Sequence, residues 1–200
     1  RLLMLSDIGE QYDPKTRKGV IGRNFNGQYN SAFVGARGFF DDKKFNLYMG
    51  AGALGACLND YQADNFDHSD LDFIGGGCIE LRQYGFGGIA SGTNIKGDTP
   101  SWGKEFKEES IKYAYSMLHV WYSATALSYY HNYTDLDPTY KDEFGDPLLR
   151  VTYKFGDNER NIAKFGVEKC HEILDAMGAD HIEDDEVPDE FNHQYEGGHY

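Results

Sequence analysis

Glycine is the residue that most constrains how this chain can fold. It occupies 24 of the 200 positions, well above the usual share of about 7%. Between residues 20 and 55, and again between residues 73 and 93, glycine interrupts the apolar residues every few positions. Such interruption favours short strands joined by tight turns, because glycine adopts backbone angles that other residues avoid. Both regions are therefore predicted to form strands.

Two longer segments have helical periodicity instead. Apolar residues recur at three- and four-residue spacing from Trp102 to about Tyr130, which predicts a helix there. A second helix is predicted from Asp157, a plausible cap, to a stop at Gly178. Between them, residues 148–155 alternate as a strand does. We expect an α+β fold in which an antiparallel sheet packs against helices.

Charge and composition exclude several classes of protein. Asp and Glu total 33 against 19 Lys and Arg, which gives a net charge of −14. A chain this acidic is repelled by phosphate backbones, so nucleic-acid binding is not expected. No apolar run approaches the roughly 20 residues of a membrane-spanning helix. The three cysteines, Cys57, Cys78 and Cys170, have no CxxC spacing, which argues against a disulfide framework or a zinc ribbon.

Both ends of the sequence are expected to lie inside a longer protein. Arg1 precedes an apolar run that is too short for a secretory signal, and the sequence stops at Gly197-Gly-His-Tyr200 without a polar tail. Segments beyond these ends are expected to carry part of the function.

One glycine-rich motif admits two interpretations. Gly50-Ala-Gly-Ala-Leu-Gly55 matches the GxGxxG pattern of dinucleotide sites, and Asp70 follows at about the right distance. Such a site needs a helix that begins at these glycines, so that its first amides meet a pyrophosphate. The segment that follows lacks a sustained apolar stripe, which favours a glycine-rich turn beside other backbone.

No metal site is predicted. Carboxylates at positions 64, 67, 70 and 72 surround His68 and could bind calcium, but their spacing does not match an EF-hand, and a solvated loop is favoured. His181 with the acidic residues 183–186 lacks the HExxH pattern that would place two imidazoles on one helix face.

His199 is the catalytic candidate among the seven histidines. It follows Glu196-Gly-Gly198, a permissive backbone that would allow close approach by a flat ligand. His119, His131 and His171 lie within or at the ends of helical patterns, where packing or exposure to solvent is favoured. Asn132-Tyr-Thr134 is a glycosylation sequon, which is informative only for a protein secreted from a eukaryotic cell.

Several segments resemble the glucose–methanol–choline (GMC) family of FAD-dependent alcohol and sugar oxidoreductases. Arg1-Leu-Leu-Met-Leu-Ser-Asp-Ile-Gly9 resembles the end of the family's second signature, with Asp7 in place of the common Gly. Val20-Ile-Gly-Arg-Asn-Phe25 resembles its Val-Gly-Arg-Asn-Leu turn near the flavin. Gly27-Gln28 replaces the Asp-His that often follows this turn.

The likeness is greatest to the subgroup that contains gluconate 2-dehydrogenase flavoproteins and related sugar dehydrogenases. The stretch from Leu136-Asp-Pro to Arg150-Val-Thr-Tyr153 is similar to that subgroup's Leu-Asp-Pro…Lys-Asp…Gly-x-Pro…Arg-x-Thr-Tyr run. Met49-Gly-Ala-Gly-Ala-Leu-Gly55 also recurs there, far downstream of the family's own dinucleotide loop. The resemblance therefore implies that these glycines are not the dinucleotide site.

The resemblance implies a division of the chain. Residues 1–28 would be the last part of an FAD-domain segment, residues 29–180 the substrate-binding domain, and residues 181–200 a return segment toward the flavin. The fold would then be an α+β substrate domain with pieces of an FAD-binding α/β domain at both ends.

The resemblance also implies a chemistry. A hydride of the substrate passes to flavin N5 while His199 acts as the base, and FAD is the cofactor. Gly22 and Asn24 would contact the cofactor, and Gln28, His193 and Tyr195 would line the substrate pocket. The substrate would be a sugar or sugar acid.

The resemblance implies partners and a compartment as well. A cytochrome c and a small subunit would complete a membrane-associated complex in the periplasm, with the cytoplasm as the alternative compartment. The 15 Tyr and 13 Phe residues motivate a different function, a non-catalytic module that binds carbohydrate or a partner through its aromatic surface.

Overall fold

A computed structural model describes residues 1–26, 34–45, 55–82 and 95–187. These residues form a five-stranded sheet, a two-stranded ribbon and three α-helices. The strands are β1 Val34–Phe39, β2 Gly55–Leu58, β3 Gly77–Arg82, β4 Met117–Ala124, β5 Tyr133–Lys141, β6 Pro147–Thr152 and β7 His181–Asp184. The helices are α1 Leu2–Leu5, α2 Lys104–Tyr113 and α3 Asp157–Ala176.

The large sheet has the strand order β2-β3-β4-β1-β7, and all neighbouring strands are antiparallel. Ala36 on β1 pairs with Val120 on β4, and Ile79 on β3 pairs with Tyr122 on β4. These four side chains are fully buried, so the core lies on this face of the sheet. The predicted α+β class with an antiparallel sheet against helices is confirmed.

The helix predicted from Trp102 to Tyr130 is wrong beyond residue 113. Helix α2 ends at Tyr113, and the next element is strand β4. On β4 the fully buried Val120 and Tyr122 alternate with the partly exposed His119 and Trp121. This period of two suits a strand, and β-branched and aromatic residues pack well on a sheet. Pairing with β1 on one side and β3 on the other completes the backbone hydrogen bonds of β4.

Helix α3 packs against β1 and β4. Buried residues recur every four positions along it, which places them on one face of the helix; they are Ile162, Gly166, Cys170 and Leu174. The predicted stop is confirmed, because Gly178 has a φ of +75° just after the last turn. The cap is Gly156 rather than the predicted Asp157, which is the first helical residue.

Strands β5 and β6 form an antiparallel ribbon, with Leu136 opposite Leu149. This ribbon confirms a strand in the predicted region, from Pro147 to Thr152. The chain segment before β1 joins the ribbon, because Arg23 forms an isolated antiparallel bridge with Tyr133. Among the helices of the described ranges, none combines the length and hydropathy that crossing a bilayer requires.

Candidate cofactor site

Residues 20–26 lie along the start of β5, and this contact positions both predicted cofactor residues. The N–H of Thr134 donates to the carbonyl of Gly22 at 2.8 Å, and the N–H of Phe25 donates to the carbonyl of Asn132 at 2.8 Å. Asn24 therefore lies between two residues, Gly22 and Phe25, whose backbones are hydrogen-bonded to Thr134 and Asn132. We call residues 20–26 the N-terminal turn.

Gly22 has a structural reason to be glycine. Its φ is +88°, and a Cβ at this position would lie 2.2 Å from the carbonyl oxygen of Thr134 and 2.6 Å from Cε of Met4. Real Cβ atoms are not found so close to backbone oxygen, so any side chain would push the turn away from β5. The predicted tight turn is present, and packing within the chain accounts for the glycine.

Asn24 is a half-buried residue with an unused acceptor. Its φ is +54°, a left-handed conformation that asparagine tolerates better than most residues. The Oδ1 atom of its side chain is buried and has no hydrogen-bond partner among the described residues. Leaving a buried polar atom unpaired costs about 1–3 kcal/mol, so such an atom in a functional region is a candidate ligand contact.

Asn132 supplies an unused donor next to this turn. Only 1% of the residue is exposed, and its Oδ1 accepts a hydrogen bond from the N–H of Lys154 at 2.8 Å. Its Nδ2 is buried without a partner in the described part of the chain. Sequence reasoning identified Asn132 only as the first residue of a sequon. The burial of its side chain makes it inaccessible to glycosylation in this fold.

The two asparagines fit the hydrogen-bonding edge of a flavin. The pyrimidine part of an isoalloxazine ring presents an N–H donor between carbonyl acceptors. An amide oxygen such as Asn24 Oδ1 can accept from that N–H, and an amide nitrogen such as Asn132 Nδ2 can donate to a carbonyl. The hydrogen-bonding types of these two side chains therefore match those of the predicted cofactor.

Aromatic rings pack around the N-terminal turn. The ring of Phe25 meets that of Tyr153 edge-on with centroids 6.1 Å apart, and Tyr12 meets Tyr133 at 5.8 Å. Burial raises the pKa of Tyr153 to about 12, so this phenol stays neutral at physiological pH. Aromatic packing therefore holds Phe25 of the turn against Tyr153.

The loop of residues 126–132 is hydrogen-bonded to the N-terminal turn and to Tyr12, which precedes it. The Nδ2 of Asn26 donates to the carbonyl of Ala126 at 3.0 Å, and the hydroxyl of Tyr12 donates to the carbonyl of Tyr130 at 3.0 Å. The N–H of Asn132 donates to the carbonyl of Tyr129 at 3.1 Å. We call residues 126–132 the support loop.

The other predicted site residues cannot be placed. His199, the predicted base, and the predicted substrate residues Gln28, His193 and Tyr195 lie outside the described residues. Their roles stay predictions.

The glycine motif at residues 50–55 can be assessed only at its last residue, because residues 50–54 lie outside the described ranges. Gly55 begins strand β2, which pairs antiparallel with β3. The described chain after the motif is thus a strand rather than the helix that a pyrophosphate site needs. This favours the turn interpretation.

Two histidines of the described region lie against carboxylates at the end of β7. His171 Nδ1 lies 2.8 Å from Asp184 Oδ1, and His119 Nε2 lies 3.3 Å from Asp185 Oδ2. Within the ranges that the structure describes, no three or more His, Cys, Asp or Glu side chains are grouped so that they could hold a metal ion.

Comparison with known proteins gives two relatives. The chain is 39% identical over 177 residues to a gluconate 2-dehydrogenase flavoprotein from Pantoea cypripedii, and the alignment covers 88% of this chain and 28% of the relative. It is 30% identical over 131 residues to a 2-methyl-1,2-propanediol dehydrogenase from Mycolicibacterium austroafricanum, which covers 64% of this chain and 23% of that relative. No protein-family model matches the chain.

The chain thus spans less than a third of the length of these curated relatives. Both relatives are named dehydrogenases, and the first is named a flavoprotein. Over most of its length this chain is therefore similar to a flavoprotein oxidoreductase.

Proposed function

We propose that this chain is part of an FAD-dependent oxidoreductase of the GMC type, which oxidises an alcohol group of a sugar or sugar acid. The identity of 39% to a gluconate 2-dehydrogenase flavoprotein supports this activity. The structural observation that carries the proposal is that Asn24 Oδ1 and Asn132 Nδ2 are both buried without a hydrogen-bond partner among the described residues, while the N–H of Phe25 donates to the carbonyl of Asn132. Asn24 lies in the turn whose sequence resembles the family's flavin-contacting turn, and Asn132 lies in the support loop that is hydrogen-bonded to it.

The proposal divides the chain into three parts. Residues 1–28 belong to the cofactor domain, residues 29–180 form the substrate-binding domain, and residues 181–200 return toward the flavin. The hydrogen bonds of the N-terminal turn to the start of β5 then join the cofactor domain to the substrate domain.

In the proposed mechanism, bound FAD supplies the acceptor for the substrate's hydride. An imidazole nitrogen of His199 takes the proton of the substrate hydroxyl, a task that suits imidazole because its unperturbed pKa lies near neutral pH. Asn24 would help to hold the flavin by offering Oδ1 as an acceptor, and Asn132 by offering Nδ2 as a donor. Gln28, His193 and Tyr195 contact the substrate and orient it.

The proposed electron route leads out of the protein to a cytochrome c, with a small subunit in a membrane-associated complex. The periplasm is the proposed compartment, with the cytoplasm as the alternative.

The net charge of −14 creates a long-range field that disfavours anionic substrates, so neutral sugars belong in any substrate panel beside sugar acids.

The test uses protein expressed from the complete open reading frame. We expect a yellow protein that releases FAD on denaturation and that bleaches when a sugar or sugar acid is added without oxygen. A colourless protein that fails to take up FAD would defeat the proposal.

The proposed base is tested separately. His199→Ala should lower kcat by about 10²- to 10⁴-fold, because the hydroxyl proton loses its acceptor. His171→Ala is the control, since this exposed imidazole pairs with Asp184 on the surface, and kcat should then stay near the wild-type value. Near-normal turnover of His199→Ala would remove His199 from the role of base.

The exposed aromatic rings of the ribbon favour the second candidate, a carbohydrate- or partner-binding module. Phe144 is 83% exposed and Tyr140 is 68% exposed. Calorimetry with sugars in the absence of flavin tests this candidate. Binding that Phe144→Ala and Tyr140→Ala abolish would support it, and no heat of binding would exclude it for the sugars tested.

A further inference from the structure

A buried carboxylate lies behind the candidate cofactor site. Glu159 is 0% exposed and lies in the first turn of α3. Its Oε1 accepts a hydrogen bond from the N–H of Leu127 at 2.8 Å. Its Oε2 accepts from the hydroxyl of Tyr129 at 2.9 Å and from the N–H of Gly156 at 2.9 Å. Burying a carboxylate is costly, and these three donors offset that cost.

Two of the three donors belong to the support loop. The contact with Gly156 is the half of a capping box that an acidic residue provides at the start of a helix. The contacts with Leu127 and Tyr129 are not needed to cap a helix, and they join α3 to the support loop. Burial, with the hydrogen bond to Glu159, raises the pKa of Tyr129 above its ordinary value, which keeps its hydroxyl protonated as a donor.

The support loop in turn holds the residues of the candidate site. Its Tyr129 carbonyl accepts from the N–H of Asn132, and its Ala126 carbonyl accepts from the side chain of Asn26. The carbonyl of Asn132 accepts from the N–H of Phe25, next to Asn24. Hydrogen bonds therefore link Glu159 to Tyr129, the Tyr129 carbonyl to the backbone of Asn132, and the Asn132 carbonyl to Phe25, the residue after Asn24.

We infer that Glu159 is a positioning residue for the cofactor site. Its carboxylate fixes the support loop against α3, and the loop sets the positions of the Asn132 donor and the Asn24 acceptor. The role rests on the proposed function, because it assigns these two amides to a flavin. A residue that only capped the helix would affect stability without affecting the cofactor.

Three variants separate the contacts of Glu159. Tyr129→Phe removes one oxygen, hence one loop contact, and leaves the Gly156 contact in place. Glu159→Gln keeps the shape but places an NH₂ group against the N–H of either Leu127 or Gly156, whichever way the amide is turned. Glu159→Ala removes all three contacts. The control is Glu168→Gln, which changes an exposed carboxylate on the same helix.

The experiment measures FAD binding to the apoprotein made from the complete open reading frame, with amide hydrogen exchange of residues 20–26 and 126–132. Tyr129→Phe should raise the Kd for FAD by about 3- to 10-fold, the effect of one hydrogen bond. Glu159→Gln should raise it further, because it leaves opposed donors in a buried site. Exchange of both segments should accelerate, and Glu168→Gln should leave Kd and exchange unchanged.

Wild-type Kd and wild-type exchange in both Tyr129→Phe and Glu159→Gln would overturn the inference. A general loss of stability with unchanged Kd would also overturn it, since that result describes a helix cap. If Glu159→Ala does not fold, Tyr129→Phe decides the matter. Wild-type protein that binds no FAD would remove the proposed function and this role together, whereas FAD-binding wild type with unaffected variants removes only the role of Glu159.

Discussion

The ring of Tyr122 occupies the space that a side chain at Gly166 would fill. A Cβ on Gly166 would lie 2.0 Å from Cδ1 of Tyr122 and 2.5 Å from its Cγ. Because Tyr122 is fully buried on β4, its ring cannot move into solvent. The glycine thus allows α3 to approach the sheet closely at the middle of the core.

Gly166→Ala should therefore destabilise the protein. Alanine favours a helix by about 1 kcal/mol over glycine, but overpacking against the Tyr122 ring should outweigh this gain, for a net loss of about 1–3 kcal/mol. Gly97→Ala is the control, since a Cβ there would meet no atom closer than 3.7 Å. This substitution should change the free energy of unfolding by less than about 0.5 kcal/mol. Urea denaturation measures both, and equal midpoints would contradict the prediction.

The hydroxyl of Tyr122 gives a second prediction. This group is buried without a hydrogen-bond partner among the described residues, so Tyr122→Phe removes an unpaired polar group. The free energy of unfolding should stay constant or rise by about 1 kcal/mol.

The matched control for that prediction is Tyr113→Phe. The Tyr113 hydroxyl accepts a hydrogen bond from Lys112 at 2.8 Å and donates to Asp41 at 3.3 Å, so its removal should cost about 1 kcal/mol. Thermal unfolding of both variants is the measurement. A larger loss for Tyr122→Phe than for Tyr113→Phe would show that the buried hydroxyl is paired after all.

Alkaline pH should destabilise the fold. Burial raises the pKa of Cys170 from 9.0 to about 12 and that of Tyr153 from 10.0 to about 12. At a pH between the ordinary and the raised pKa of each group, the folded protein keeps a proton on that group that the unfolded chain has lost. The free energy of unfolding is therefore undiminished below about pH 9 and falls as the pH rises toward 12.

Denaturant titrations at a series of pH values from 8 to about 11 measure this slope. Cys170→Ala should make the slope shallower, because one of the raised pKa values is gone. Cys57→Ala should keep the wild-type slope, since Cys57 is exposed. An equal slope in all three proteins would show that Cys170 does not contribute.

The predicted elements differ in how far local signals determine them. Helix α3 was predicted correctly because its apolar spacing and the stop at Gly178 both lie within the segment itself. Strand β4 was missed because its sequence fits two periods. Leu118, Trp121 and Tyr122 recur at helical spacing, while Leu118, Val120 and Tyr122 alternate as a strand does. Pairing with β1 and β3, which are distant in sequence, decides between them.

The candidate site shows the same limit. Gly22 and Asn24 were predicted as cofactor contacts because they belong to a recognisable motif, and this role stays a prediction. Asn132 and Glu159 were not identified, since their significance lies in burial and in contacts between distant parts of the chain. Glu159 meets Leu127 across 32 positions, and Asn26 meets Ala126 across 100. A single sequence does not distinguish a buried polar residue from an exposed one.

Gly22→Ala tests the packing of the N-terminal turn, and the ribbon offers a control with the same backbone conformation. Gly145 has a φ of +87° against +88° for Gly22, but a Cβ at Gly145 would meet nothing within 4 Å. Gly145→Ala should therefore lower the free energy of unfolding by only about 1–2 kcal/mol, the conformational cost of a left-handed alanine. Gly22→Ala should lower it by at least about 1 kcal/mol more, since its Cβ would also meet the carbonyl of Thr134.

Denaturation of the two alanine variants, with hydrogen exchange of the Thr134 amide, separates the contact from the conformational cost. In Gly22→Ala the Thr134 amide should exchange faster, because the turn has to move away from β5 and its hydrogen bond lengthens. In Gly145→Ala it should exchange as in wild type. Equal destabilisation of the two variants with an unchanged Thr134 amide would mean that the turn does not pack against β5 as closely as Gly22 indicates. The positions of Asn24 and Asn132 would then lose their common support.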